Sequence, residues 1–520
     1  MGIYALEGLC VKQKEILQQI AAYVQGEARG QDLYSVEKEL FKRLLTLGHA
    51  FLSEVIARRG TGKTDGPVEV GGEELAHHLD RERTYLSIFG ELQISRAYYW
   101  RQGKSGYYPL DAELNLPSRR YSYLLSEWAQ NLVVEEPYEK AVQRVAALLG
   151  IPVSKLGQEN VAREAGAYFT EFYRQKPIFA AETEGSVIGV QADGKGVRMI
   201  GSEKPEKAKE EKARRGKGEK SGGLRRMAVA TADFTFNPSP RSPEEMVQML
   251  MKENVEQRRA ESRAEREKRR INGEEEPRRA LNVQVAAGMG GKQQVFEELA
   301  ERVHKRDPEG QKKIVVLLDG EKALEEQLQL SFKEVGLAER IEAVVLDIMH
   351  VMDYVWEAGT ALYGEKGKER TPWVREHAVA ILEGRVGRVI GGLRQMLSKQ
   401  ELRSAQKTAL NKAITYFENH RHMMAYDRYL AAGYPIATGL IEGTCGSLIK
   451  DRADRSGSRW SSDGVQAVLN LRAVTKNGDW NEYWTYYMVS EHERLYDRSF
   501  DAQPSGVDKA AERLAACHNC

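Results

Sequence analysis

Two aspartates each close an apolar run that reads as a β-strand. Asp193 ends Ser186-Val-Ile-Gly-Val-Gln-Ala and is followed by Gly194-Lys-Gly; Asp319 ends Ile314-Val-Val-Leu-Leu and is followed by Gly320. The carboxyl ends of parallel strands are where open α/β sheets place ligands. One such acid is ordinary turn chemistry. Two, each followed by glycine, point to a shared site whose oxygen donors suit a hard cation such as Mg²⁺ or Mn²⁺. Holding two ions takes a third acid, and Glu442 offers one. Its helix can begin only after Pro435, with Thr438 as N-cap, which sets Glu442 in the first turns on the face of Gly446 and Ile449. Gly443 and Gly446 leave room for a close approach. Lys195 beside the first acid, and Lys450, Arg452, Arg455, Arg459 and Trp460 beyond the third, add cations and an aromatic suited to phosphate backbone and base stacking. Taken alone, that last stretch also reads as a solvated helix face.

Other motifs carry less. Gly60-Thr-Gly-Lys-Thr64 resembles the end of a phosphate-binding loop, but Ala57 stands where its first glycine belongs and a helix precedes it. Gly288-Met-Gly-Gly-Lys292 reads as a turn. Cys517-His-Asn-Cys520 has metal-ligand spacing on one side only, so a tail is the simpler reading. His78 and His422 follow Glu74 and Glu418 by four residues without a further ligand.

The elements that must position the acids follow from periodicity. Helical spacing marks 36–52, and a β-branched, aromatic run with a central glycine over 84–100 predicts a β-hairpin. Helices 139–149 and 155–172, joined by Gly150-Ile-Pro-Val-Ser, resemble a helix-turn-helix, with an ordinary helical hairpin as the equal alternative; Lys155, Arg163 and Arg174 are few cations for a recognition helix. Strands are expected at 186–193, 226–236, 280–287, 314–319 and 341–347, the last three separated by helices 294–303 and 322–332, giving a mixed sheet. Ser202–Gly223 is Lys/Glu/Gly-rich and is read as disordered, and 244–271 as a charged helix. After Asp347 the chain reads as helical to about Leu430.

The 520 residues allow three to four domains, expected as a helical region 1–66, a hairpin module 67–120, a helix-turn-helix-like region 121–180, an α/β core 181–347 with a disordered or charged insertion 202–275, a helical insertion 348–433, the rest of the core 434–490 and a tail 491–520. Lys+Arg 77 against Asp+Glu 76 leaves a net +1, so any charge signal must be local. Four cysteines exclude a disulfide scaffold, and with no leader-like start or apolar span a cytoplasmic protein is expected.

Together, Gln191-Ala-Asp-Gly-Lys-Gly-Val, Leu318-Asp-Gly-Glu, Leu346-Asp-Ile-Met-His-Val-Met-Asp-Tyr-Val-Trp and Gly439-Leu-Ile-Glu-Gly with Gly457-Ser-Arg-Trp460 resemble bacterial insertion-sequence DDE transposases of the ISKra type, from about Glu91 to Arg472. The cysteine pairs of the relatives' N-terminal region are missing around Tyr99–Tyr108. The resemblance implies a ribonuclease-H-like fold interrupted by an all-helical insertion. It further implies catalytic and metal-binding Asp193, Asp319 and Glu442 with two Mg²⁺ or Mn²⁺ ions, double-stranded transposon-end and target DNA as partners, and a homo-oligomer assembled on DNA. A non-catalytic DNA-binding descendant and a nuclease without strand transfer are the competing readings. The second acid is the hardest choice. In the implied fold the first strand pairs with the fourth and the fifth lies outside it, which favours Asp319 over Asp347 and leaves Asp347 and His350 as a supporting pair at a helix start.

Overall fold

The computed structural model describes residues 9–200, 225–272, 280–437, 439–454 and 457–497. Two compact units divide the chain: Met1–Gln175 with Asp479–Cys520, and Lys176–Gly478. Among the described residues no helix is long and apolar enough to cross a membrane.

The first unit opens with helices Val11–Gln25 and Leu33–Arg59, the second started by Asp32, whose carboxylate accepts the Ser35 N–H at 3.1 Å. A three-stranded antiparallel sheet follows, β1 (Val68–Val70), β2 (Glu73–Ser87) and β3 (Gly90–Trp100), in that order. The hairpin expected at 84–100 is therefore longer. Residues 73–83 are too polar to read as a strand, and the pairing of 73–75 with β1 and of 76–83 with 94–100 makes them one. Helix Tyr138–Leu149 stops at Gly150, whose left-handed φ of 69° suits glycine, and helix Lys155–Gly166 starts at Ser154, whose hydroxyl accepts the Gly157 N–H at 3.0 Å. The single helix expected over 155–172 is broken, and Phe169–Gln175 forms its own helix. Helix Trp480–Tyr496 packs with this unit: the Tyr483 hydroxyl donates to the Ala165 carbonyl and Tyr487 sits edge-on to Tyr123.

The second unit is α/β. Its five strands are β4 (Val187–Arg198), β5 (Arg225–Phe236), β6 (Leu281–Gly288), β7 (Lys313–Leu318) and β8 (Ile341–Leu346). They lie in the order β6-β5-β4-β7-β8, with β4 antiparallel to β5, β5 antiparallel to β6, and β4, β7 and β8 parallel. The near-continuous apolar runs of β4 and β7 are buried, as strands covered on both faces require. Helices Lys292–Arg306 and Lys322–Glu334 connect β6 to β7 and β7 to β8. Side chains satisfy both outer edges. The Tyr426 and Tyr429 hydroxyls donate to the carbonyls of Leu346 and Val344 on β8, while Asn477 bonds both main-chain groups of Val285 on β6. These contacts close edges that would otherwise template another strand. After β8 come helices Ile348–Tyr363, Arg370–Leu382, Val386–Lys399 and Ser404–Asn419, as the periodicity predicts. The charged stretch 244–271 falls in helices Pro243–Leu250 and Val255–Asn272, whereas the segment read as disordered lies outside the described residues.

Candidate active site

Asp193 does not end its strand. β4 runs on to Arg198 because Gly194-Lys-Gly pairs with Met227–Val229 of β5, so the turn expected there is replaced by antiparallel ladder. The parallel side does stop: the β4–β7 ladder closes at Gln191 opposite Leu317. Carried two residues further, the same register sets Asp193 beside Asp319. Asp193 pairs with the small Ala230 on its other side. Asp347 follows Leu346, the partner of Leu318, so it continues the row on the far side of β7. Adjacent strands lie ~4.8 Å apart, and Asp319 is one strand from Asp193 where Asp347 is two.

The three aspartates differ in surroundings. Asp347 is fully buried and caps helix Ile348–Tyr363, accepting the Met349 N–H at 2.8 Å. Asp319 is half-buried and accepts the Glu321 N–H at 2.8 Å. Burial pushes its carboxyl above the usual range, and the negative charges of Asp193 and Glu321 push the same way; the Glu321 N–H and His350 pull against them. The Tyr416 hydroxyl donates to the Asp319 carbonyl at 2.9 Å, and His420 Nε2 lies 2.7 Å from the Gly320 carbonyl oxygen. The helical segment thus grips the turn that carries the acid.

Sequence reasoning missed Glu321. Its carboxylate pairs with Lys292, and a Cβ on Gly194 would lie 3.7 Å from Glu321 Oε2, so this acid reaches β4 beside Asp193. The only signal was its place two residues after Asp319.

Helix Gly439–Thr444 packs against β4 and β5. The side chain of Glu442, and Thr438 with it, lies outside the described residues. The continuous α-helix expected beyond it is replaced by a π-helical turn over Cys445–Lys450, whose wider turn ends the regular spacing that linked Glu442 to Gly446 and Ile449. A Cβ on Gly443 or Gly446 would meet open space among the described residues. The Cys445 thiol donates to the Asp193 carbonyl at 3.7 Å, and burial, then the Asp193 charge, push its pKa up, so it stays a neutral donor. Among the described residues no group of three or more His, Cys, Asp or Glu is arranged to hold a metal ion.

The expected nucleic-acid residues divide. Lys450 and Arg459 are exposed and Lys195 is half-buried. Arg452 is 2% exposed and stacks 4.6 Å over Trp460, itself 7% exposed with its indole N–H donating to the Ala453 carbonyl. These two pack against each other, which corrects the expectation of an open cation and stacking ring. Arg455 lies outside the described residues, as do Cys517 and Cys520. Exposed Arg198 and Arg225, at the far end of β4 and start of β5, share Asp454 at 3.7 and 3.6 Å. In the helix pair around Gly150, Lys155 meets Glu159 at 3.7 Å and Arg163 donates to Asn160, and on the next helix Arg174 donates to Glu171. Those cations are partnered on their own helices. Gly60–Thr64 is a packed turn: the Thr64 N–H donates to the Tyr99 hydroxyl, and a Cβ on Gly62 would strike Leu110. His422 pairs with Glu325 at 2.9 Å rather than with Glu418.

Searched against protein-family models and against characterised proteins, the chain matches none of them.

Proposed function

We propose that this chain is a DDE transposase: it binds the ends of a DNA element, hydrolyses a phosphodiester with metal assistance and joins the 3′ ends to target DNA by transesterification. The observation that carries this reading is the β4–β7 register, which ends at Gln191 opposite Leu317 and brings Asp193 and Asp319, each two residues further on, close enough for the Asp193 charge to act on Asp319. The strand order third-second-first-fourth-fifth, with a helical segment between Asp347 and Glu442, is what a ribonuclease-H-like core with an insertion would have.

The donor set fits a hard cation. Two carboxylates side by side, one held up by burial and by its neighbour's charge, are what a divalent ion would neutralise. Asp193 and Asp319 would hold it, and Glu442 is the third donor the sequence offers. Bound Mg²⁺ or Mn²⁺ supplies activation of a water or a DNA 3′-hydroxyl and stabilisation of the leaving oxygen. The chain's own contribution is orientation. The Glu321 N–H fixes one Asp319 oxygen, Tyr416 and His420 hold the turn behind it, and Cys445 fixes the main chain at Asp193. Lys450 and Arg459 are open to phosphate.

The test is Asp193→Asn on linear DNA carrying the sequences that flank the gene. Cleavage in Mg²⁺ is expected to vanish while binding stays within about twofold, since the change removes charge without size. Full Mg²⁺-dependent cleavage by the pure variant overturns the assignment. Hydrolysis by the unaltered chain with no strand-transfer product would leave a nuclease instead.

A further inference from the structure

The hairpin of β2 and β3 has two unlike faces. One closes a small core of Leu75, Ala97 and Tyr99 with Val68, Val70 and Tyr107 packed on it. The other face is packed at Ile94 by Leu110 and Leu116, and beyond that cover it would ordinarily read polar. Here it carries rings. Trp100, Tyr98 and Arg96 alternate along β3, opposite Ala76, Leu79 and Arg81 of β2. The register slips between His77 and Leu79, so His78 is the extra residue of a β-bulge, a device that re-aims a side chain. The His78 ring comes to 5.6 Å from Trp100 and 6.3 Å from Tyr98. The Arg81 guanidinium lies 4.3 Å over Tyr98, and Tyr98 is 4.9 Å from Tyr108.

This row is open. Trp100 is 38% exposed, His78 and Arg81 are exposed, and Tyr98 is half-buried. Arg81 makes no ion pair among the described residues, so its charge is available to a phosphate. Rings interleaved with an arginine on a strand surface are how proteins stack unpaired bases while neutralising their backbone. Bases within a duplex keep their faces covered by neighbours and cannot use such a surface.

The geometry points to the outer face of this hairpin, Trp100, His78, Tyr98 and Arg81, as a stacking platform for unpaired bases of single-stranded DNA. The inference rests on the nucleic-acid reading above and assigns the hairpin a task that needs no catalytic acid. Trp100 and His78 take a base, and Arg81 takes the adjoining phosphate.

The experiment uses the full chain in EDTA, so that no cleavage intervenes, with a labelled oligothymidylate and a duplex of equal length followed by fluorescence anisotropy. Trp100→Ala is expected to weaken single-strand binding roughly tenfold and duplex binding less than about twofold, while Trp100→Phe keeps most of the single-strand affinity. Tryptophan emission of the unaltered chain should fall when oligothymidylate binds, and that fall should be lost in Trp100→Phe. This second readout decides the matter even if Trp100→Ala does not fold. Single-strand affinity unchanged in Trp100→Ala, equal losses on both DNAs, or an undiminished emission change in Trp100→Phe would overturn the platform. Duplex binding by the unaltered chain would then leave the transposase reading standing, whereas binding to neither DNA would remove the nucleic-acid reading itself.

Discussion

Asp319 is held in a state that costs the ion-free chain stability. Its carboxyl is pushed above the ordinary range by burial first and by Asp193 next. A carboxyl raised in the folded state contributes stability that is fully present below its unfolded pKa of about 4 and is lost as pH rises through the folded value. At neutral pH in EDTA, Asp319→Asn should therefore raise the melting temperature, because Asn keeps the acceptor for the Glu321 N–H and drops the charge. The gain should shrink to nothing as pH falls towards about 4. Added Mg²⁺ should stabilise the unaltered chain more than the variant. Melting curves across pH check this, and a variant less stable at every pH would show that the carboxylate is a structural partner instead. Asp193, Asp319 and Asp347 could be read from the sequence because apolar runs ending in an acid mark their strands. Arg452 and Trp460 could not, since a cation and an aromatic eight residues apart read the same whether open to solvent or stacked on each other.

The turn after β7 ties sheet to helices through Gly320. Its φ is 93°, where an L side chain is strained, and a Cβ there would lie 2.9 Å from Leu346, 3.0 Å from His420 and 3.1 Å from the Tyr416 hydroxyl. Gly336 has a φ of 75° and open space around it. Gly336→Ala should thus cost only backbone strain, about 1–2 kcal/mol, while Gly320→Ala adds crowding and should cost about 2–4 kcal/mol. Urea unfolding separates the two; equal losses would mean that Tyr416 and His420 yield freely. The sequence located the five core strands and their order of direction because apolar runs punctuated by helices leave few topologies. It misjudged lengths where partners decide. Gly194-Lys-Gly became strand because β5 lies alongside, and Glu73–Arg83 because β1 and β3 do. The π-helical turn at Cys445–Lys450 left no mark in residue type, since helical periodicity there is set by packing against the sheet.

At the scale of the whole chain, a net charge of +1 spread over 77 basic and 76 acidic residues provides no long-range field towards DNA. Attraction must come from cations left open locally, and two groups of the second unit differ in this respect. Lys450, the last residue of the π-helical turn, and Arg459 beyond it are exposed. Arg198 and Arg225 are exposed as well but share the Asp454 carboxylate, which already offsets part of their charge. Each phosphate contact contributes about 0.9 to the slope of log affinity against log salt on duplex DNA. Lys450→Ala with Arg459→Ala should therefore lower the slope by about 1–2, whereas Arg198→Ala with Arg225→Ala should lower it by less than about 1, because DNA would have to displace Asp454 to use both arginines. Titrations of one duplex at several salt concentrations measure both. A larger change from the second pair would mean that the strand ends, rather than the segment beyond Glu442, carry the phosphate backbone.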